Sequence, residues 1–360
     1  MRNNVDAENS DRNKLLMKRL LVTITICGCL SGSAHAQSSG VNVSKSGTTA
    51  ATFLEVGVGA PAIGMGGAYV SVADNATALH WNPAGIASLS QIDVAVVHTS
   101  WIAETRFDFA GIVLPLGSFG TLGFSLTSLS MGDMLVRTIE MPEGTGEYFS
   151  AGDIAGALSY SRQLTERFAI GFTAKYIQQT IWHESASGFA IDVGTIFKTD
   201  LFGGMTIGAA LSNFGTSMRM AGRDARQFIR LDPSKQGSND RIPTEVELAS
   251  WDLPLFFQFG VSTRVFDNDG YRWTIAVDAL HPNDNYESLN VGTEFVFTDL
   301  LFLRAGYHSL FLDQAEGGLS MGIGVTTSNF LGSMRVGFDY AYQDIGRLQI
   351  VHVFTVGLRF

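Results

Sequence analysis

Cysteine is nearly absent from this sequence. The 360 residues contain two, Cys27 and Cys29, both near the N-terminus. Everything after them is therefore without disulfides or thiolate metal sites. Charge is scarce: 16% of residues are Asp, Glu, Lys or Arg, against about 25% in an ordinary soluble domain. The net charge is −10 and no basic block occurs, which argues against nucleic acid as a partner. Long hydrophobic runs are missing too. The longest candidate, 20–30, spans 11 residues and includes Thr23 and Thr25, short of the roughly 18 a membrane helix needs. Yet mean hydropathy is positive at +0.16, so apolar residues are spread along the chain. Glycine is what the chain has in excess, 40 residues of 360. That disfavours a helical bundle, because glycine weakens helix interiors.

The first 36 residues read as an export signal. Lys18 and Arg19 form a basic start, 20–30 is an apolar stretch of signal-peptide length, and Ala34-His35-Ala36 is a small-x-small cleavage site. Asp6, Glu8 and Asp11 do not suit such a start, so Met17 is a candidate for the true first residue.

The region 37–90 is rich in Gly, Ala and Ser and lacks sustained alternation. From Gln91 the pattern has period 2, the signature of strands. Met321, Ile323 and Val325 share one face, while Ser320, Gly322 and Gly324 share the other. Phe189, Ile191, Val193 and Phe197 likewise oppose Ala190, Asp192, Gly194 and Lys198. A soluble sandwich would carry Lys and Glu on its polar face. Here that face is mostly Gly, Ser, Thr and Ala with isolated charges, as expected for a closely packed lumen with lipid on the other side. Fourteen strands are predicted: 91–101, 106–116, 120–133, 152–163, 168–182, 188–198, 204–214, 254–266, 271–280, 287–297, 301–308, 318–327, 332–343 and 347–360. The stretch 242–250 is either a fifteenth segment or a loop ribbon.

Connector lengths agree with that count. Alternate connectors 117–119, 164–167, 199–203, 267–270, 298–300 and 328–331 are all short, and the opposite set holds the two longest, 134–151 and 215–253. Short periplasmic turns and longer outer loops characterise outer-membrane barrels. Phe354, Val356, Leu358 and the terminal Phe360 share one face of the last strand. A closing alternating strand that ends in Phe is the usual signal for bacterial barrel-assembly machinery. The class expected is all-β: a 14-stranded antiparallel outer-membrane β-barrel over 91–360, with outer-membrane lipid around it.

One stretch resembles a known family. After Phe53-Leu54 come Gly64-Met65-Gly66-Gly67-Ala68, Ala73-Asp74-Asn75-Ala76-Thr77-Ala78 and Trp81-Asn82-Pro83-Ala84-Gly85. This order and spacing resemble the N-terminal segment of the PorV/PorQ family, within the fatty-acid-transporter-like (FadL-like) barrels. Leu211-Ser212-Asn213-Phe214-Gly215, Ala276-Val277-Asp278 and Leu303-Arg304-Ala305-Gly306-Tyr307 continue the resemblance. It implies a hatch, residues 37–90, folded inside the barrel. Gly64, Met65, Gly66, Gly67, Asp74, Trp81, Asn82, Pro83, Ala84 and Gly85 would form the hatch motif. The residues suit that role: Asn82 is a helix-capping type and Pro83 fits a first helical position, so 83–88 is predicted to be one or two helical turns. The bland alternative is a surface loop before the first strand.

Chemical motifs are weak. Gly318-Leu319-Ser320-Met321-Gly322 matches a nucleophile elbow, but alternation runs straight through it. Gly57-Val58-Gly59-Ala60-Pro61-Ala62 matches a lenient dinucleotide fingerprint with no strand before it. His281-Pro282-Asn283-Asp284 and Asp267-Asn268-Asp269-Gly270 read as turns before they read as cation sites. No metal, no cofactor and no enzymatic activity are expected.

Lys175, Asp192, Arg272, Asp278, Glu294, Arg304, Arg335, Asp339 and Arg359 fall on predicted inner faces with mixed sign. They read as an ion-pair network that locks the hatch, or as a charged solute path. The resemblance to PorV implies an accessory of type IX protein secretion, with secretion subunits and secreted cargo as partners. The wider family implies instead a passive transporter of hydrophobic small molecules.

Overall fold

The computed structural model describes residues 47–201, 204–230, 234, 241–268, 270–312, 315, 317–327 and 334–360. The expected export signal and both cysteines lie outside them, as do Asp269 and the start of the expected strand at 332.

Fourteen antiparallel strands close into one barrel. They are β1 Asp93–Ser100, β2 Arg106–Pro115, β3 Thr121–Ser130, β4 Ala151–Thr165, β5 Phe168–Ile181, β6 Glu184–Thr199 and β7 Met205–Gly215. The ring continues with β8 Phe256–Asn268, β9 Tyr271–Pro282, β10 Ser288–Phe297, β11 Leu301–Leu310, β12 Leu319–Thr327, β13 Arg335–Asp344 and β14 Ile350–Arg359. Every strand pairs with its neighbours in sequence, and β1 pairs with β14 from Asp93↔Arg359 to Ser100↔His352, which closes the ring. Closure leaves no free sheet edge in lipid, where an unpaired backbone group is costly. Among the described residues no helix is long and apolar enough to cross a membrane.

All fourteen expected strands are present, with ends moved by a few residues. The largest change is in β6, which starts at Glu184 rather than 188. The residues 242–250 add no barrel strand: Ile242–Glu245 pairs with Arg226–Ile229 as a ribbon inside the long connector 216–255. The nucleophile-elbow match lies at the start of β12, and the strand runs unbroken through it to Thr327, with no strand-to-helix turn at Ser320.

Side-chain alternation sets the two faces. Phe189, Ile191, Met321, Ile323, Val325, Phe338 and Phe354 are exposed on the outside, the pattern of a barrel wall built to face lipid. The inner face departs from expectation on two strands. Val97 of β1 and Phe107, Phe109 and Val113 of β2 point inward and are fully buried. Both faces of these strands are apolar, because the inner one meets residues 49–90 rather than water.

That N-terminal stretch holds a 3-10 turn Thr52–Glu55, helix α1 Ala60–Gly64, helix α2 Ala78–Trp81 and a 3-10 helix Pro83–Ser88. Its Phe53, Val58, Ile63, Met65, Tyr69, Leu79 and Ile86 form one buried cluster with Val97, Phe107, Phe109, Ile177, Val351 and Val353 of the wall. Full burial of such side chains is worth about 1.5–3 kcal/mol each. The molecule's core is therefore the contact between this stretch and the inner wall. Glycines on the inner face make the approach possible. Gly194 lies against Asn82 and Pro83, Gly208 against Val70 and Ser71, and Gly306 against Met65 and Gly66. Gly66 itself has φ +66°, and a Cβ there would sit 2.6 Å from the Tyr307 nitrogen.

Candidate functional site

Hydrogen bonds from the wall fasten the N-terminal stretch along its length. Asp278 of β9 accepts from Tyr69 N at 2.7 Å, Val70 N at 2.9 Å and Gln258 Nε2 at 2.9 Å. Thr355 of β14 accepts from Ala60 N at 2.8 Å, and Asp93 of β1 accepts from Ala76 N at 3.1 Å. Asn82 works in both directions. Its Oδ1 accepts from Ala84 N at 3.0 Å and caps the Pro83–Ser88 turn, and its Nδ2 donates to Val70 O at 2.8 Å and to Thr195 O of β6 at 3.1 Å. Buried backbone donors must find acceptors. Here the wall supplies acceptors for donors that the short helices leave over.

The other motif residues divide by role. Gly64 abuts Gly322 and Arg304, Met65 is fully buried, and Gly66 and Gly67 both have positive φ. Trp81 Nε1 donates to Val58 O at 2.8 Å, and its ring meets Tyr69 edge-on at 6.2 Å. Ala84 is buried beside Ala169 and Gly171 of β5, and Gly85 is buried against Ala73 and Ala78 of the stretch itself. Asp74 contributes its carbonyl, which accepts from Arg359 Nη2 at 3.3 Å.

The nine inner-face charges do not join into one network among the described residues. They separate both around the ring, with Lys175 and Asp192 on β5 and β6 and the rest on β9–β14, and along single strands, where Arg272 and Asp278 or Arg335 and Asp339 stand several residues apart. Lys175 pairs with Asp192 at 2.7 Å and donates to Asn213 Oδ1 at 2.8 Å, all three within the wall. Asn213 sits at φ +64°, where the β6–β7 register shifts, and its backbone N donates to Asp192 Oδ1 at 2.8 Å. Arg304 of β11 bridges Glu294 at 2.8 Å and Asp339 at 2.6 Å. Arg359 Nε donates to Asp93 at 2.7 Å, and Arg272 reaches Asp299 at 3.5 Å. Asp278 binds backbone rather than a cation. Arg335 lines the lumen with no ion pair among the described residues.

The N-terminal stretch lies between two chambers that share no lining residue. The chamber toward the long connectors has a volume of about 570 Å³ and is walled by Phe53, Leu54, Trp81, Trp101, Phe256 and Leu280, with Lys175 and Asn290 among its polar groups. The chamber toward the short turns, about 380 Å³, is lined by arginines and carboxylates. Burial and then the charge on Lys175 hold His80 down to about 3, so it is neutral at the first chamber. Glu55 is exposed to the chamber, and partial loss of water around its carboxyl, then the charge of Asp284, push it up to about 8.

Sequence reasoning missed Asp93, Gln258 and Thr355. The alternation does place Asp93 inward with Ala95, Val97 and Thr99, but only the folded lumen shows which backbone donor each side chain serves. Among the described residues no three His, Cys, Asp or Glu side chains converge as a metal site.

The model of the type IX secretion system protein PorV matches residues 40–251, which takes in the N-terminal stretch, β1–β7 and most of the longest connector. The chain belongs to the PorV family. No curated protein matches it. Among solved structures, this PorV-family chain is similar to the Ralstonia pickettii toluene transporter TbuX: TM-score 0.52, 12% identity, 84% of this chain and 98% of that one covered. The Pseudomonas putida toluene transporter TodX is similar to the same degree, with TM-score 0.52, 14% identity, and 84% and 97% covered. At such identities the likeness is one of fold. A β-barrel of the PorV family implies an outer-membrane location.

Proposed function

We propose that this chain is a non-enzymatic outer-membrane accessory of type IX-like protein secretion that receives secreted cargo at the end bearing the long connectors. The match to the PorV model over 40–251 carries this reading. In it, residues 37–90 form a hatch, and the end with connectors 131–150 and 216–255 faces outward. The geometry is consistent with a closed lumen: the hatch is fastened to strands around the ring, and the two chambers share no lining residue. A lumen plugged along its length suits a cargo-docking role. Crosslinked pull-down from native membranes tests it. Secretion subunits, or cargo attached through 216–255, are the expected catch, and their absence from an efficiently crosslinked sample would remove the reading.

The second reading, passive passage of hydrophobic small molecules, draws on the apolar lining of the 570 Å³ chamber. Lipid or aromatic solute co-purifying in that chamber, with no secretion subunit in the crosslinked sample, would favour it.

A further inference from the structure

The chamber toward the long connectors holds a buried carboxylate with no cation. Asp284, in the connector between β9 and β10, is 6% exposed and lines that chamber. A charge so buried is ordinarily paired. Among the described residues no cation reaches it. Thr49 Oγ1 donates to its Oδ2 at 2.8 Å, and its other neighbour is a second acid, Glu55 of the N-terminal stretch. Partial loss of water and then the charge of Asp284 hold the Glu55 carboxyl up at about 8, so it keeps its proton at neutral pH. The other ionisable groups nearby do not offset the pair. Lys175 is committed to Asp192 and Asn213 within the wall, and His80 is held neutral. His308 has its Nδ1 buried without a partner, and Glu287 is taken by His281 at 3.0 Å. Asp252, bridged to Thr49, adds further negative charge. Two more features of the chamber point to a bound molecule. Gln343 of β13 is 9% exposed, lines the chamber and makes no side-chain hydrogen bond among the described residues. Asn290 of β10 accepts from Ser309 N at 2.9 Å through Oδ1 and leaves its amide donors open to the chamber. Buried polar groups of this kind call for a partner.

We propose that this chamber binds an organic ammonium ion, its charged head between Glu55 and Asp284 and its apolar body against Trp81 and Trp101, with Gln343 and Asn290 offering further hydrogen bonds. Glu55 gives its proton to solvent on binding, and the ammonium takes the place of that proton between the two carboxylates. The hydrogen bonds formed are then charge-assisted on both sides. Aromatic ring faces attract the same cation. The volume of about 570 Å³ admits a small molecule of this kind. The ammonium site rests on the small-molecule reading of this chamber and stands apart from the secretion reading.

Phenethylamine hydrochloride is the probe, and 2-phenylethanol, its neutral analogue, is the comparison. Each is titrated by calorimetry at pH 7 into the whole protein in non-ionic detergent, with protein-free micelles as the blank. Phenethylamine should bind about tenfold more tightly than 2-phenylethanol, or better. Titration in two buffers of different ionisation enthalpy should show about one proton released per ammonium bound. Glu55→Gln should lose the proton release and most of the preference for the amine. Asp284→Asn should lose the preference as well. Both variants are first checked for heat-modifiable migration. Glu287→Gln, a carboxylate on the same connector that does not line the chamber, should change neither readout. Equal affinity for the two probes overturns the proposal and leaves the apolar chamber of the small-molecule reading standing. Binding of neither probe overturns both. An amine preference that survives in Glu55→Gln and Asp284→Asn, or amine binding without proton release, places the ammonium elsewhere and also overturns the proposal.

Discussion

Asp278, on the barrel wall, accepts the backbone N–H of Tyr69 at 2.7 Å, 209 residues away in sequence. The neighbouring Val70 N–H joins the same oxygen at 2.9 Å. A buried carboxylate here terminates two backbone donors that have no helix or strand partner.

Asp278→Ala should therefore release the N-terminal stretch while leaving the ring of strands closed. A buried backbone donor left without its acceptor costs about 1–3 kcal/mol, enough to free a local unit below the global unfolding limit. The measurement is thiol labelling at Ser320→Cys, an inner-wall position that is fully buried. Residues 37–360 contain no competing cysteine. Faster labelling with unchanged heat-modifiable migration is expected. Equal labelling would show that Asp278 does not hold the stretch.

Asn82→Ala combined with Pro83→Ala should act in the same direction. The double change removes the cap on Ala84 N and the bonds to Val70 O and Thr195 O, where cap loss alone costs roughly 1 kcal/mol. If the folded variant labels at Ser320→Cys no faster than its parent, residues 82–85 act as an ordinary loop.

Gly306→Val tests close packing. Even the first side-chain carbon would meet the Met65–Gly66 peptide, which is backbone and does not yield as a flexible side chain would. The strand itself tolerates valine well. The expected outcome is a normally assembled barrel with a displaced N-terminal stretch, read by protease cleavage within 49–70.

Glu55 gives the pH dependence. Its value in the folded state is about 8, above the ordinary 4.5, so the packed state favours the protonated form. As pH rises past 4.5 the released stretch ionises while the packed one resists, so packing weakens progressively up to about pH 8 and no further. The side chain opens onto the chamber, and water screens part of the repulsion from Asp284. Labelling at Ser320→Cys, corrected for thiol ionisation, should quicken between pH 5 and 8 in the parent and stay flat in Glu55→Gln. The same slope in both would assign the effect to another group.

Phe360→Asp tests the closing strand. Phe360 N donates to Ile92 O at 3.0 Å beside the β1–β14 seam, and its ring is exposed, as is that of Phe354 on the outer face. A carboxylate on the lipid face should reduce the yield of heat-modifiable barrel several-fold. Wild-type yield would show that the terminal aromatic is dispensable for assembly.

Fold class was written in the one-dimensional pattern. A strand in lipid must turn apolar side chains outward at every second position, so the alternation from residue 91 onward specifies faces, strand number and, through connector length, parity. The residues of the N-terminal motif were visible too, because the Gly64–Gly67 cluster and the Asn82-Pro83 pair meet local conformational needs that few other residues meet. What the tertiary structure alone decided is which groups meet across the lumen. Asp278, Lys175 and Arg335 look alike in the sequence, each a charge on an inner face. One ends up binding backbone, one pairs within the wall, and one makes no ion pair among the described residues. The Asp278 contact depends on the N-terminal stretch folding back into the closed barrel, which brings together residues more than 200 positions apart, while Lys175 and Arg335 depend on the register of neighbouring strands; alternation alone encodes neither.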